Sequence, residues 1–131
     1  MRILALVKRV PATGGRISLT DDGRAIDTRF LGFVVSPHEE CAVEEAVRIL
    51  EAGDGEVVVL TLGPAEAEEQ LRDAMAIGID RAILLETDGR DWDPIATTDA
   101  IVESIRTEEA ANGITEGAWL WTTASTSGRA L

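Results

Sequence analysis

Two cations in succession, Lys8 and Arg9, follow the first apolar run of the chain. Cations at the carboxyl end of a strand suit contact with phosphates or with the acids of a partner. They read equally as simply solvated or paired. A second place is Ser36-Pro37-His38-Glu39. Ser36 is a residue type that caps free backbone N–H groups, and Pro37 fits the first helical position, where no N–H is needed. Glu39, three residues after Ser36, completes a capping box. The same free N–H groups could receive an anion, although Glu39 and Glu40 already supply negative charge there. On these residues alone, plain capping is the favoured reading. Third, Gly63-Pro64 is a sharp junction that lets backbone approach a flat ligand, or is a structural turn.

Catalytic machinery is not legible. His38 has no Ser or Cys nucleophile nearby with a matching base, and Cys41 falls within a capped helix, where a packed or half-buried thiol is expected. Asp91 and Asp93 are close, but Asp93 reads as a helix cap. There is no triad, no metal-ligand spacing, no GxGxxG and no P-loop.

The elements that must position these residues follow from pattern. Residues 2–7 and 56–62 alternate little and are rich in Ile, Leu and Val, the signature of strands buried on both faces. Residues 81–85 form a third such strand. Between the first two lie a loop with Pro11, Gly14 and Gly15, then residues 17–19 and 25–27 flanking Asp21-Asp22-Gly23 as a hairpin. A helix is predicted over 36–52, with Val43, Ala46, Val47 and Leu50 as its apolar stripe. Another begins near Ala65, with Leu71, Ala74 and Met75 inward, and ends at Gly78. A third starts at Asp93-Pro94 and turns Ala96, Ala100, Ile101 and Ile105 to one face. Strands separated by such helices make βαβ units and a parallel sheet. Ligands of such sheets bind beyond the carboxyl ends of the strands, which directs attention to residues 6–10, 62–65, the loop after Leu85 and the helix start at Ser36.

Composition narrows the classes. The 131 residues suffice for one domain with a single core. One Cys and one His exclude a disulfide framework and the usual zinc site. A net charge of −12 argues against a nucleic-acid partner and suits solubility or docking to a basic partner. No apolar run is long enough for membrane insertion, and residues 3–7 lack the features of a signal peptide, so a cytoplasmic protein is expected. Only two charged residues, Glu116 and Arg129, lie in 112–131. Residues 118–122 could be a fourth strand, and 123–128 reads as loop.

Several ordered blocks resemble the β-subunit of electron-transfer flavoproteins, including the nitrogen-fixation type. They are Val7-Lys8-Arg9-Val10-Pro11; the stretch from Ser36-Pro37-His38-Glu39-Glu40 through Val43-Glu44-Glu45-Ala46, similar to the family's Asn-Pro-Phe-x-Glu-x-Ala-Val-Glu-Glu-Ala; Leu62-Gly63-Pro64-Ala65; and Leu71-Arg72-Asp73-Ala74 through Gly78-Ile79-Asp80-Arg81-Ala82. The resemblance covers about residues 1–107, and 112–131 diverges. It implies one N-terminal nucleotide-binding domain over 1–131, with a three-layer α/β/α fold of the Rossmann-like, adenine-nucleotide α-hydrolase-like kind, here truncated.

By the same resemblance the chain binds AMP, or FAD in electron-bifurcating members, at the interface with a flavin-bearing α-subunit. The complex passes electrons from acyl-CoA or other dehydrogenases to a quinone reductase or other acceptor. Such a subunit is an electron carrier, not an enzyme with catalytic side chains. Carried over by position, the nucleotide contacts are Leu6, the helix start Ser36, Pro37, His38 and Glu39, and Leu62. Ser36 and His38 replace the family's Asn and Phe, so backbone rather than side-chain contact is expected there. The family's phosphate-cradling loop after the fourth strand is not matched by Trp121-Thr122-Thr123-Ala124-Ser125-Thr126-Ser127-Gly128. The short, divergent end fits a shifted frame, a truncated gene, a degenerate copy or a real short protein. The alternative function is a stand-alone nucleotide-binding domain of the universal-stress type, although Gly113, Gly117 and Gly128 have the wrong spacing for its ATP loop. A hydrolase or ligase would need a Ser/Gly phosphate loop soon after the first strand, where residues 11–15 have no such pattern.

Overall fold

A computed structural model describes residues 1–12, 14–90, 92–112 and 119–122. Its elements are β1 (Arg2–Leu6), β2 (Arg9–Pro11), β3 (Phe33–Val35), α1 (Pro37–Glu51), β4 (Glu56–Gly63), a 3₁₀ turn (Ala65–Ala67), α2 (Glu68–Ala76), β5 (Arg81–Glu86), α3 (Pro94–Asn112) and β6 (Trp119–Thr122). Four strands pair in the order β5-β4-β1-β6, all parallel. The register sets Leu6 beside Leu60 and Leu62 beside Leu85, so the carboxyl ends of β1, β4 and β5 share one edge.

Residues alternate across a strand, so a continuous apolar run can fill two layers at once. Ile3, Ala5, Val57 and Val59 face Val43 and Ala46 of α1 and Leu71 and Ala74 of α2. Leu4, Val58 and Leu60 face Ile105 of α3, with Ile101, Leu6, Ile83 and Leu85 partly buried around them. The result is the expected α/β/α sandwich with a parallel sheet. α3 is also held by a polar clamp. Arg81 bonds Glu56 at 3.2 Å and also Glu108 of α3, while Arg2 pairs with Glu56 at 3.1 Å. Among the described residues no helix is long and apolar enough to cross a membrane.

Several local expectations need correction. The predicted loop after β1 contains a short antiparallel ribbon, β2–β3, with Arg9 opposite Val35 and Pro11 opposite Phe33. Three-residue strands with a proline carry too little pattern to be seen in sequence. The hairpin around Asp21-Asp22-Gly23 is present but short: its flanks meet in one antiparallel bridge, Leu19 with Ile26, with the Thr20 N–H donating to the Ala25 carbonyl at 2.9 Å and the Asp27 N–H to the Ser18 carbonyl at 2.8 Å. Thr20 also closes the turn with its hydroxyl, which meets Asp22 Oδ1 at 2.5 Å and the Ala25 N–H at 3.2 Å. The helix near Ala65 begins as a 3₁₀ turn, and the α-helix proper starts at Glu68. Met75 is not part of that helix's core and is 38% exposed; Gln70 is buried in its place and donates from Nε2 to the Phe33 carbonyl at 3.3 Å. Cys41 is exposed rather than packed.

Candidate functional site

The edge formed by the carboxyl ends of β1 and β4 lies beside the start of α1. Three links hold it. The Val7 N–H donates to the Leu60 carbonyl at 3.0 Å, which extends the β1–β4 pairing one residue past β1. The Lys8 N–H donates to Glu39 Oε2 at 2.8 Å, which ties the end of β1 to the first turn of α1. Arg9 pairs with Val35, the residue before Ser36. The sequence-predicted residues Leu6, Ser36, Pro37, His38 and Glu39 therefore gather around one corner of the fold. Leu62 stands on the neighbouring strand of the same edge and, by alternation, on the face of Leu60 and Leu6.

The helix start differs from the expected capping box. Ser36 has extended backbone, but its hydroxyl makes no cap bond. Its carbonyl accepts the N–H groups of Glu39 and Glu40, both at 2.9 Å. Glu39 reaches across to Lys8 rather than serving only its own helix. That is a tertiary choice, fixed by where β1 ends. Burial pushes the Glu39 carboxyl above the ordinary range, and the Lys8 and Ser36 backbone N–H groups and the Lys8 ammonium pull it partly back. Glu39 is only 7% exposed, so its charge is engaged inward rather than displayed to a ligand. Pro37 and His38 are exposed, and Leu6, Ser36 and Leu62 are half-buried.

Gly63 closes β4. A Cβ built there would lie 3.4 Å from the Ala67 side chain, an ordinary contact, so this junction does not demand glycine for space. Beyond β5, an open depression of about 590 Å³ is lined by Glu86, Asp88, Arg90, Trp92 and other residues. Its acids suit a phosphate poorly, and Arg90 is already paired with Asp88. The more cationic corner at Lys8 and Arg9 is the better anion edge. Asp93 caps α3 as expected, accepting the N–H groups of Ile95 at 2.9 Å and Ala96 at 3.0 Å. No group of three or more metal-ligating side chains occurs among the described residues. The phosphate-loop comparison at residues 123 onward and the divergent tail lie mostly outside the described residues.

Sequence reasoning missed one feature of this corner. The Arg9 guanidinium lies over the Phe33 ring, 3.4 Å from its centroid. Phe33 gives no signal by itself, because the ribbon that aligns the two was not visible.

A parallel sheet covered by helices on both faces, with a helix start and two cations at its carboxyl edge, defines a three-layer α/β domain of the Rossmann-like kind. The electron transfer flavoprotein domain family model matches residues 26–115. The chain is 36% identical over 110 residues to the electron transfer flavoprotein subunit beta of Bradyrhizobium diazoefficiens, covering 83% of this chain and 43% of that protein. It is 37% identical over 121 residues to the subunit of the same name from Mycobacterium bovis, covering 88% and 46%. With the mitochondrial subunit beta of Oryza sativa subsp. indica it shares 40% over 84 residues, 63% of this chain and 33% of that one. The chain belongs to the electron transfer flavoprotein family and is β-subunit-like. It spans less than half the length of these curated relatives.

Proposed function

We propose that this chain is the adenine-nucleotide-binding part of a β-type electron-transfer subunit. AMP, or the adenylate half of FAD, binds at the corner made by Leu6, Ser36, Pro37, His38, Glu39 and Leu62. The chain pairs there with a flavin-bearing α-subunit, and the complex passes electrons from acyl-CoA or other dehydrogenases to a quinone reductase or other acceptor. The flavin supplies the redox chemistry when bound. This chain's residues bind and orient, and none acts as a catalyst.

The observation that carries the reading is the tie between Lys8 and Glu39, which brings the end of β1 against the start of α1 on the ligand edge of the sheet. The residues suit a nucleotide. The Ser36 hydroxyl has no cap bond to break, the His38 N–H of the first turn has no acceptor among the described residues, and Leu6 and Leu62 leave half-buried apolar surface for a base.

Calorimetry of the 131-residue chain with AMP and with FAD tests this. One-to-one binding of either is expected, and Leu62→Asp should abolish it without unfolding the chain. Absence of heat and of co-purified nucleotide at millimolar ligand defeats the reading.

A further inference from the structure

Acids outnumber bases two to one in this chain, 24 against 12, so an arginine has many possible partners. Three arginines among the described residues are half-buried: Arg2, Arg9 and Arg81. Arg2 is paired with Glu56, and Arg81 with Glu56 and Glu108. Arg9 alone of the three has no described carboxylate within salt-bridge distance. Its Nε is buried and bonded to nothing, and its compensation is the face of Phe33. A cation drawn out of water without an anion is costly, and a ring face offsets only part of that cost.

The position of Arg9 in the fold bears on its role. Arg9 follows Lys8, whose N–H holds Glu39, and it faces Val35, which precedes Ser36. Both strands of the ribbon thus deliver it to the corner where ligands of a parallel sheet bind. Stacking on Phe33 fixes the plane of the guanidinium, which leaves its terminal N–H fork pre-organised for a two-oxygen acceptor. A partner's carboxylate has the same shape, but this is the ligand edge of a parallel sheet, and in the first turn of α1, where Pro37 has no N–H and those of Glu39 and Glu40 go to the Ser36 carbonyl, the His38 N–H is left for an anion, so phosphate is the ligand that uses both.

We infer that Arg9 is the phosphate-reading residue of the site: it accounts for preference for a nucleotide over the corresponding nucleoside. The inference rests on the nucleotide reading above and assigns it a residue which that reading does not contain.

The test compares AMP with adenosine on the full 131-residue chain by calorimetry, for the unmodified protein, Arg9→Met and Arg9→Lys. Circular dichroism confirms that each variant is folded. The unmodified chain should bind AMP more tightly than adenosine. Arg9→Met, which keeps an apolar stem on Phe33, should weaken AMP by about 10- to 100-fold, the usual worth of a charged hydrogen-bonded contact, and leave adenosine unchanged. Arg9→Lys should fall between, because the point charge survives and the fork does not. A folded Arg9→Met or Arg9→Lys protein with an unchanged AMP-to-adenosine ratio overturns the assignment while the nucleotide reading stands. If the unmodified chain binds neither compound, the nucleotide reading itself fails and takes this one with it. Adenosine weakened as much as AMP shows a structural role for Arg9 and also overturns the assignment.

Discussion

Replacing Glu39 separates two roles that coincide in one carboxylate. Its Oε2 accepts the Lys8 N–H at 2.8 Å, and burial makes its charge unfavourable. Glu39→Gln keeps an acceptor of nearly the same shape and removes the charge. Glu39→Ala removes both and leaves the Lys8 N–H without its acceptor, which costs about 1–3 kcal/mol for a fully buried donor and the lower end here, because the bond is only partly buried. For a chain of this size each kcal/mol moves the melting temperature by roughly 3–5 °C.

At pH 7, Glu39→Ala should therefore melt several degrees below the unmodified protein, and Glu39→Gln at or above it. The sign with pH follows from the direction of the shift. A carboxyl whose folded pKa lies above its unfolded value binds its proton more tightly when folded. Its favourable contribution is present in acid, below the unfolded value, and is lost as pH rises through the folded one. The advantage of Glu39→Gln over the unmodified protein should accordingly be smallest near pH 4 and grow toward neutrality. Melting curves of the three proteins from pH 4 to 8 decide it. A Glu39→Gln protein that is destabilised as much as Glu39→Ala at pH 7, or an advantage that shrinks as pH rises, refutes the reasoning.

Two further outcomes follow from the same geometry. Asp93→Ala removes both cap bonds of α3 and should cost about 1 kcal/mol, with amide exchange quickening at Ile95 and Ala96 before the rest of the chain. Gly78 has φ +128°, and a Cβ there would stand 3.4 Å from Val47 Cγ1; Gly78→Ala should cost about 1–2 kcal/mol in denaturant titration, mostly from backbone strain.

The sheet was legible because burial on both faces imposes Val/Leu/Ile-rich runs, and five of the eight residues of β4 are Val or Leu. Alternation then predicts that Leu6 and Leu62 share a face. The cap at Asp93 was legible because a cap is local: the acceptor and its donors lie within three residues. Glu39 was legible only in part, for the opposite reason: the Ser36 backbone N–H reaches its carboxyl as a capping box requires, while the Ser36 hydroxyl makes no cap bond. Its spacing from Ser36 satisfies the local rule, but the end of β1 brings a second donor, Lys8 N–H, that no local pattern can reveal. Gln70 and Met75 illustrate the same limit. Helical spacing favours Met75 as core, yet Gln70 is buried because the carbonyl of Phe33, on a ribbon invisible in the sequence, takes its amide.

The two faces of the sheet bear on how a ligand would be held. Leu6 lies on the α3 face, with Leu62 there by alternation, and Ser36 to Glu39 open α1, which packs on the other face. A nucleotide touching both groups would have to lie across the end of the sheet rather than on either side of it. Its base would meet half-buried leucines on the α3 side, and its anionic end would meet the helix start and Arg9 on the other. Binding would then join two layers that are otherwise linked through the strands, α3 being held, among the described residues, by Ile101, Ile105 and the Arg81–Glu108 pair. A ligand that tightens the fold in this way need not touch α3 at all, because filling the edge beside Leu6 and Leu62 removes water from the core on which α3 rests.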